Sequence, residues 1–381
     1  MAEPSAASLS LAEHFATLED PRVERTKLHP LVSILVIAVC AVVCGAESWD
    51  EIAAFGEAKE KWLKSFLDLP HGIPSHDTFN RVFAALDPQQ FQACFVSWMK
   101  AVAQVLPAQA IAIDGKTVRG SHDRANGKAA IHMVSAWASA NRLVLAQVKV
   151  DDKSNEITAI PELLRALALG GCIVTIDAMG CQRAIAQQIL DQGGDYVLAL
   201  KENQETLYAD VVEMFANAQA NAIDELVVDE NRSVGKGHGR IEVRHCRVIS
   251  DPDVLAWVQD GHHWPGLHAI GMVEAERRIG KHRSRESRYY LLSTRLVAQA
   301  FAKATRSHWG IENQVHWVLD VAFHEDRSRI RAGHAAQNFA VLRHLALNLL
   351  RQQQAKHLSI RAKRLKAGWD HDFLLQTIQG I

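Results

Sequence analysis

The chain has 381 residues, 48% of them apolar and 22% charged, with a net charge of −1. That length accommodates two or three domains around an ample core, in a composition ordinary for a soluble globular protein. The charge balance excludes a polycation, so nucleic-acid contact requires local basic patches. The six scattered cysteines, with no Cys-x-x-Cys among them, argue against a disulfide framework or a zinc cage and fit a reducing cytoplasm.

In chain order, residues 1–20 read as weakly structured up to Asp20-Pro21. The apolar run 31–46 is shorter than the roughly 20 residues that span a bilayer. It also begins too far in, after acidic and polar sequence, for a signal peptide, so it reads as a helix buried on all sides. Ser48 and Glu51 have capping-box spacing and open a helix to about Leu67. Pro70, Gly72 and Pro74 make a turn. A periodic segment with Phe79, Val82, Phe83 and Leu86 follows, then a helix with Phe91, Phe95, Trp98 and Val102. Residues 76–86 are open to two readings, the groove-entering helix of a helix-turn-helix or part of a plain helical bundle.

From 109 the pattern becomes β and α in alternation. Strand 109–114 is expected to end at Asp114, with Gly115 turning the chain. Strands 130–139 and 142–150 follow, joined by a hairpin turn at Asn141. A helix at 156–168, strand 172–177, helix 181–192 and strand 195–200 complete a mixed sheet with helical crossovers. Residues 201–300 read as a β-rich insertion with strands near 235–248, 267–275 and 288–293. Helical periodicity returns at 297–320 and 334–353, ahead of a basic tail.

Three acids stand out. Asp114 and Asp177 each close an apolar strand, and Glu312 lies on a helix in His308-Trp309-Gly310-Ile311-Glu312-Asn313. A carboxylate at the end of a buried strand is costly unless a cation meets it. Three from separate elements point to one hard-metal site. The nineteen histidines offer no His-Glu-x-x-His pattern, so a zinc reading gains nothing from His308, His316 or His262-His263.

The order Asp114, Asp177, Glu312, with a β-rich segment before the glutamate, resembles DDE insertion-sequence transposases, and more narrowly the H-repeat-associated (ISAs-type) family. The resemblance rests on Ile113-Asp114-Gly115-Lys116, Thr175-Ile176-Asp177-Ala178, Leu200-Lys201-Glu202-Asn203-Gln204, Gly237-His238-Gly239-Arg240 and the Glu312 motif, and it spans essentially the whole chain. It implies an α/β fold: an RNase H-like mixed sheet with flanking helices, a β-rich insertion and an all-helical N-terminal domain. The expected division is 1–107 for DNA-end binding, 108–200 and 301–381 for the catalytic core, and 201–300 for the insertion.

The implied activity is metal-dependent cleavage at transposon ends and strand transfer into target DNA. Two Mg²⁺ or Mn²⁺ ions would be held by Asp114, Asp177 and Glu312, with Asp114 bridging. The implied partners are double-stranded DNA, as terminal inverted repeats and target, and a second copy of the chain on paired ends. No membrane role is expected. A nuclease that no longer mobilises DNA and a non-catalytic DNA-binding descendant remain alternatives. Many insertion-sequence enzymes place Tyr, Arg and Lys around the glutamate at spacings that here fall on Thr305, His308 and Leu319. Lys116, Lys201, His308, Arg240, Arg327 and Arg329 are therefore candidate DNA contacts. The basic runs 277–288 and 361–366 suit phosphate.

Overall fold

A computed structural model describes residues 11–103, 109–123, 126–151, 154–220, 226–237 and 239–379. Residues 1–10 and His238 of the Gly237–Arg240 motif lie outside them. Within 11–20, expected to be weakly structured, Leu11–Phe15 is a helix (α1), and His14 Nδ1 lies 3.0 Å from Ser97 Oγ.

Helix α2 (Leu31–Cys44) is buried along nearly its whole length and ends at Gly45, whose φ of 120° suits a residue without Cβ. Helix α3 (Trp49–Leu63) opens at Ser48, whose hydroxyl accepts from the Glu51 N–H at 3.3 Å. It stops short of Leu67. α2 and α3 meet at 98°, and no single helix among the described residues is long and apolar enough to cross a membrane. Helices α4 (His76–Ala85) and α5 (Pro88–Val102) follow. α4 buries Phe79, Val82 and Phe83, as its apolar spacing requires.

The sheet has nine strands. β1 (Ala110–Thr117), β2 (His132–Ala138) and β3 (Leu143–Lys149) form an antiparallel meander. Helix α6 (Glu156–Ala166) crosses to β4 (Ile173–Ile176), and α7 (Arg183–Asp191) to β5 (Asp195–Leu200). β4 lies parallel to both β1 and β5. The hairpin between β2 and β3 turns through residues 139–142, which include the expected Asn141, with Arg142 at φ 58°.

The segment 201–300 does not stand apart from this sheet. After helix α8 (Glu205–Gln219), β6 (Val228–Gly237) and β7 (Arg240–Ile249) pair. Helix α9 (Pro252–His262) leads to β8 (Ala269–Ile279) and β9 (His282–Leu292). β9 pairs antiparallel with β5, giving the order β3-β2-β1-β4-β5-β9-β8-β7-β6. The basic run 277–288 is thus the tip and return strand of the β8–β9 hairpin.

Helix α10 (Ala298–Ile311), a π-helical turn (Glu312–His316) and α11 (Trp317–Ala322) make one continuous helical rod with a widened middle. Helix α12 (Ala335–Gln352) runs through the interior against α2, α4, α5 and β3, so the N-terminal helices and the sheet share one core. The tail folds as α13 (Ile360–Trp369) and α14 (His371–Gln379). The fold is therefore the mixed α/β sheet with flanking helices, preceded by a helical region, that the sequence led us to expect.

Candidate active site

Asp114 sits inside a strand, not at its end. β1 continues to Thr117, with Asp114 opposite Ser135 and Gly115 opposite Val134 on β2. Gly115 is there for space: a Cβ on it would lie 2.1 Å from Glu156 Oε1 and 2.4 Å from His132 Nε2. Those two groups pair at 2.7 Å beside the Gly115 backbone. Lys116, on the same strand face as Asp114, is held by Asp320 at 2.8 Å, Asp326 at 3.0 Å and Glu325 at 3.3 Å. This cluster ties β1 to α11 and the turn that follows it.

Two glycines let α10 lie close to the sheet. A Cβ on Gly310 would come 2.4 Å from the Trp137 ring on β2, and one on Gly271 of β8 would come 2.6 Å from the Phe301 ring. His308 adds a polar pin, its Nδ1 lying 3.2 Å from Thr175 Oγ1 on β4. The π turn is supported by Asn313, whose side chain donates to the Trp309 carbonyl at 2.9 Å, and by Arg351, which donates to the Gln314 carbonyl. Such widened turns recur at functional sites.

The result brings Glu312 against Asp114. Ligand atoms of Asp114, Glu312 and His316 all lie within 4.8 Å of one another. Asp177 follows β4, and its carboxylate accepts from the Met179 and Gly180 amides at 3.1 and 3.5 Å. It caps that short turn. Asp177 is outside the tight set but acts on it through charge. The Asp114 carboxyl is pushed up to about 8, first by burial, then by Glu312 and Asp177, with a smaller push from Glu156. A buried acid raised by two neighbouring acids marks a centre short of positive charge, and oxygen donors in this number suit a hard divalent cation. Burial lowers His308, against the pull of Asp177, and takes His316 down to about 3.

Asn313 and Gln314, which follow Glu312 in the chain, face a cleft of about 530 Å³ between the β7–β9 face and α10, lined by Arg240, Arg244, Arg277, Arg288, Arg306 and Trp309 together with Glu242 and Glu286. The Arg288 guanidinium lies 4.6 Å over the Trp309 ring.

The candidate DNA contacts divide accordingly. Arg240 lines the cleft. Lys201 is exposed just after β5, and its charge helps lower Glu286 on the cleft wall, after the Arg288 hydrogen bond, the largest effect in that direction. Arg327 and Arg329 are exposed beyond α11. Lys116 presents no free ammonium, since three carboxylates already surround it. Two residues of the basic tail are likewise committed inside the fold. Lys363 donates to the Leu350 and Gln353 carbonyls at 2.7 and 2.9 Å, and Arg364 donates to Val42 and Ala322 carbonyls. Thr305 and Leu319, where other families carry tyrosine and lysine, are buried in packing. Sequence reasoning misses the His132–Glu156 pair. It weighs His316 only as a zinc ligand, although a histidine four residues after a helical glutamate must share its face.

The fold thus sets a buried acid of β1 against an acid of the helical rod, with a cleft lined by several arginines on the rod's neighbouring face. The chain belongs to the DDE transposase family. Residues 106–349 match the family described as "Transposase DDE domain", and residues 12–99 match the one described as "DDE_Tnp_1-associated". It is 40% identical over 376 residues to "H repeat-associated putative transposase YhhI" of Escherichia coli (strain K12), covering 97% of this chain and 98% of that one. It is 41% identical over 374 residues to "Putative transposase YncI" of Escherichia coli O157:H7, covering 97% and 94%. A third relative, "Putative protein YbfL" of strain K12, is 40% identical over 374 residues, covering 97% and 98%.

Proposed function

We propose that this chain is a DNA transposase that cuts phosphodiester bonds at the ends of its element and joins the freed ends to target DNA. The observation that carries the reading is the approach of Glu312 to Asp114, two acids distant in the chain, within a charge field that also includes Asp177. These three carboxylates are the groups to hold Mg²⁺ or Mn²⁺. Ions bound there would polarise a phosphoryl oxygen and lower the pKa of water.

The chain's own groups then divide the remaining work. Arginines of the cleft hold the backbone of the strand passing Glu312, and Arg288 with Trp309 forms a flat cationic surface at its wall. Lys201, Arg327 and Arg329 extend the basic rim. His308 keeps α10 in register with β4, so that Glu312 and Asp177 face the same phosphate. Cleavage and joining need only one arrangement, because the attacking oxygen alone differs: water in the first step, a 3′-hydroxyl in the second. Two copies working on paired ends complete the reading.

The test is Mg²⁺-dependent nicking of a duplex carrying the element's terminal repeat. Asp114→Ala, Asp177→Ala and Glu312→Ala should each lose nicking by at least about a thousandfold while retaining DNA binding, the scale of losing a group that stabilises the transition state. Nicking retained in Asp114→Ala refutes the assignment. Nicking without joining of the cut end to a second duplex favours a nuclease instead.

A further inference from the structure

Given the metal reading above, on which this step rests, one side chain at the centre remains unexplained. His316 is 7% exposed, and its Nε2 has no hydrogen-bond partner among the described residues. Its Nδ1 lies 3.5 Å from Asp114 Oδ2. A buried imidazole nitrogen without a hydrogen bond is costly, so a fold that retains one beside two acids gains something else from it. His308 differs: Thr175 already engages its Nδ1.

The π turn explains the placement. Residues 312 and 316 open and close it, so both side chains leave the rod on the side that faces β1. The spread of 4.8 Å among the donor atoms of Asp114, Glu312 and His316 matches ligands arranged around one ion with bonds of about 2.0–2.4 Å. Asp177 is not a member of this set.

We infer that His316 is a metal ligand, and that the ion between Asp114 and Glu312 is held by two oxygens and one imidazole nitrogen. The consequence is selectivity. Mg²⁺ strongly favours oxygen donors, whereas Mn²⁺ accepts imidazole alongside carboxylates. This position should therefore prefer Mn²⁺ to Mg²⁺, in contrast to an all-carboxylate centre.

Pulsed electron paramagnetic resonance of the full-length protein loaded with Mn²⁺ tests this without reference to activity. The expected spectrum carries nitrogen couplings that change isotope when the chain is grown on ¹⁵N-histidine. They should vanish in His316→Gln and persist in His308→Gln and His132→Gln. His316→Gln should also weaken Mn²⁺ binding by about tenfold or more while changing Mg²⁺ binding by less than about threefold. Persistence of the coupling in both the His308 and His132 variants supports the assignment even where His316→Gln does not fold. Saturable, Asp114-dependent Mn²⁺ binding without nitrogen coupling overturns the inference and leaves the carboxylate centre standing. Disappearance of the coupling in His308→Gln or His132→Gln also overturns it. No Mn²⁺ binding, or binding unchanged by Asp114→Asn, overturns the metal reading and this inference together.

Discussion

Asp114 is the residue at which function and stability oppose each other. Its carboxyl titrates near 3.8 when unperturbed and is pushed up to about 8 in the fold. Between those values the folded chain keeps a proton that the unfolded chain has lost, so the stability of the metal-free protein falls as pH rises through that window. Asn keeps the shape and removes the charge. Asp114→Asn should therefore melt higher than the parent in chelator at pH 8, with the difference closing towards pH 4. A melting difference that does not change with pH would contradict the placement. Lys116 tests the surroundings. Lys116→Met leaves Asp320, Glu325 and Asp326 without their shared cation and should cost about 3 kcal/mol in urea denaturation, as for a buried ion pair broken on one side. The acids stood out in the sequence because apolar runs stop at Asp114 and Asp177 and a motif carries Glu312, although β1 itself runs on to Thr117. The commitment of Lys116 was not, because a charge cluster between residues 116 and 326 has no signature in local order.

The helical rod carrying Glu312 is set by close approach at two glycines. Gly310→Ala would drive a methyl group into the Trp137 ring, which is itself buried. Overpacking of this kind costs about 1–3 kcal/mol. The variant should melt lower and lose nicking more than it loses DNA affinity. Full activity in Gly310→Ala would show that the rod has slack. The other elements show what periodicity conveys and what it conceals. The strands at 173–176 and 195–200, and the first half of 110–117, are visible as apolar runs bounded by turn formers. Gly115 passes for such a turn former, because a glycine that gives room to a neighbouring His–Glu pair looks the same in sequence as one that bends the chain. Helix α8 is hidden although Leu207, Val211 and Phe215 follow helical spacing, because the alternation at 240–248 sets the expectation for the whole segment.

At the scale of the molecule, a chain of net charge −1 must bind DNA with a minority of its basic groups. The fold separates them by position. Arg277 and Arg283, on the β8–β9 hairpin, are 48% and 66% exposed, whereas Lys363 and Arg364 are both 4% exposed and satisfy backbone carbonyls. Replacing the first pair by alanine should lower the slope of log affinity against log salt by about 2, one for each phosphate that goes unneutralised. Replacing the second should lower the melting temperature first. The reverse result would move the DNA path to the C-terminal helices. That distinction was hidden in the sequence, where both runs read as equally suited to phosphate.

The central claim, convergence of Asp114, Asp177 and Glu312 on one metal centre, is tested most directly by letting the metal report its own surroundings. The protein is loaded with Fe²⁺ in place of Mg²⁺ and exposed to ascorbate and peroxide, and the backbone cuts are mapped by mass spectrometry. The expected result is three clusters of cuts, near residues 114, 177 and 312, all suppressed by excess Mg²⁺. Cuts confined to one or two of these segments, or scattered over surface acids elsewhere, would contradict it.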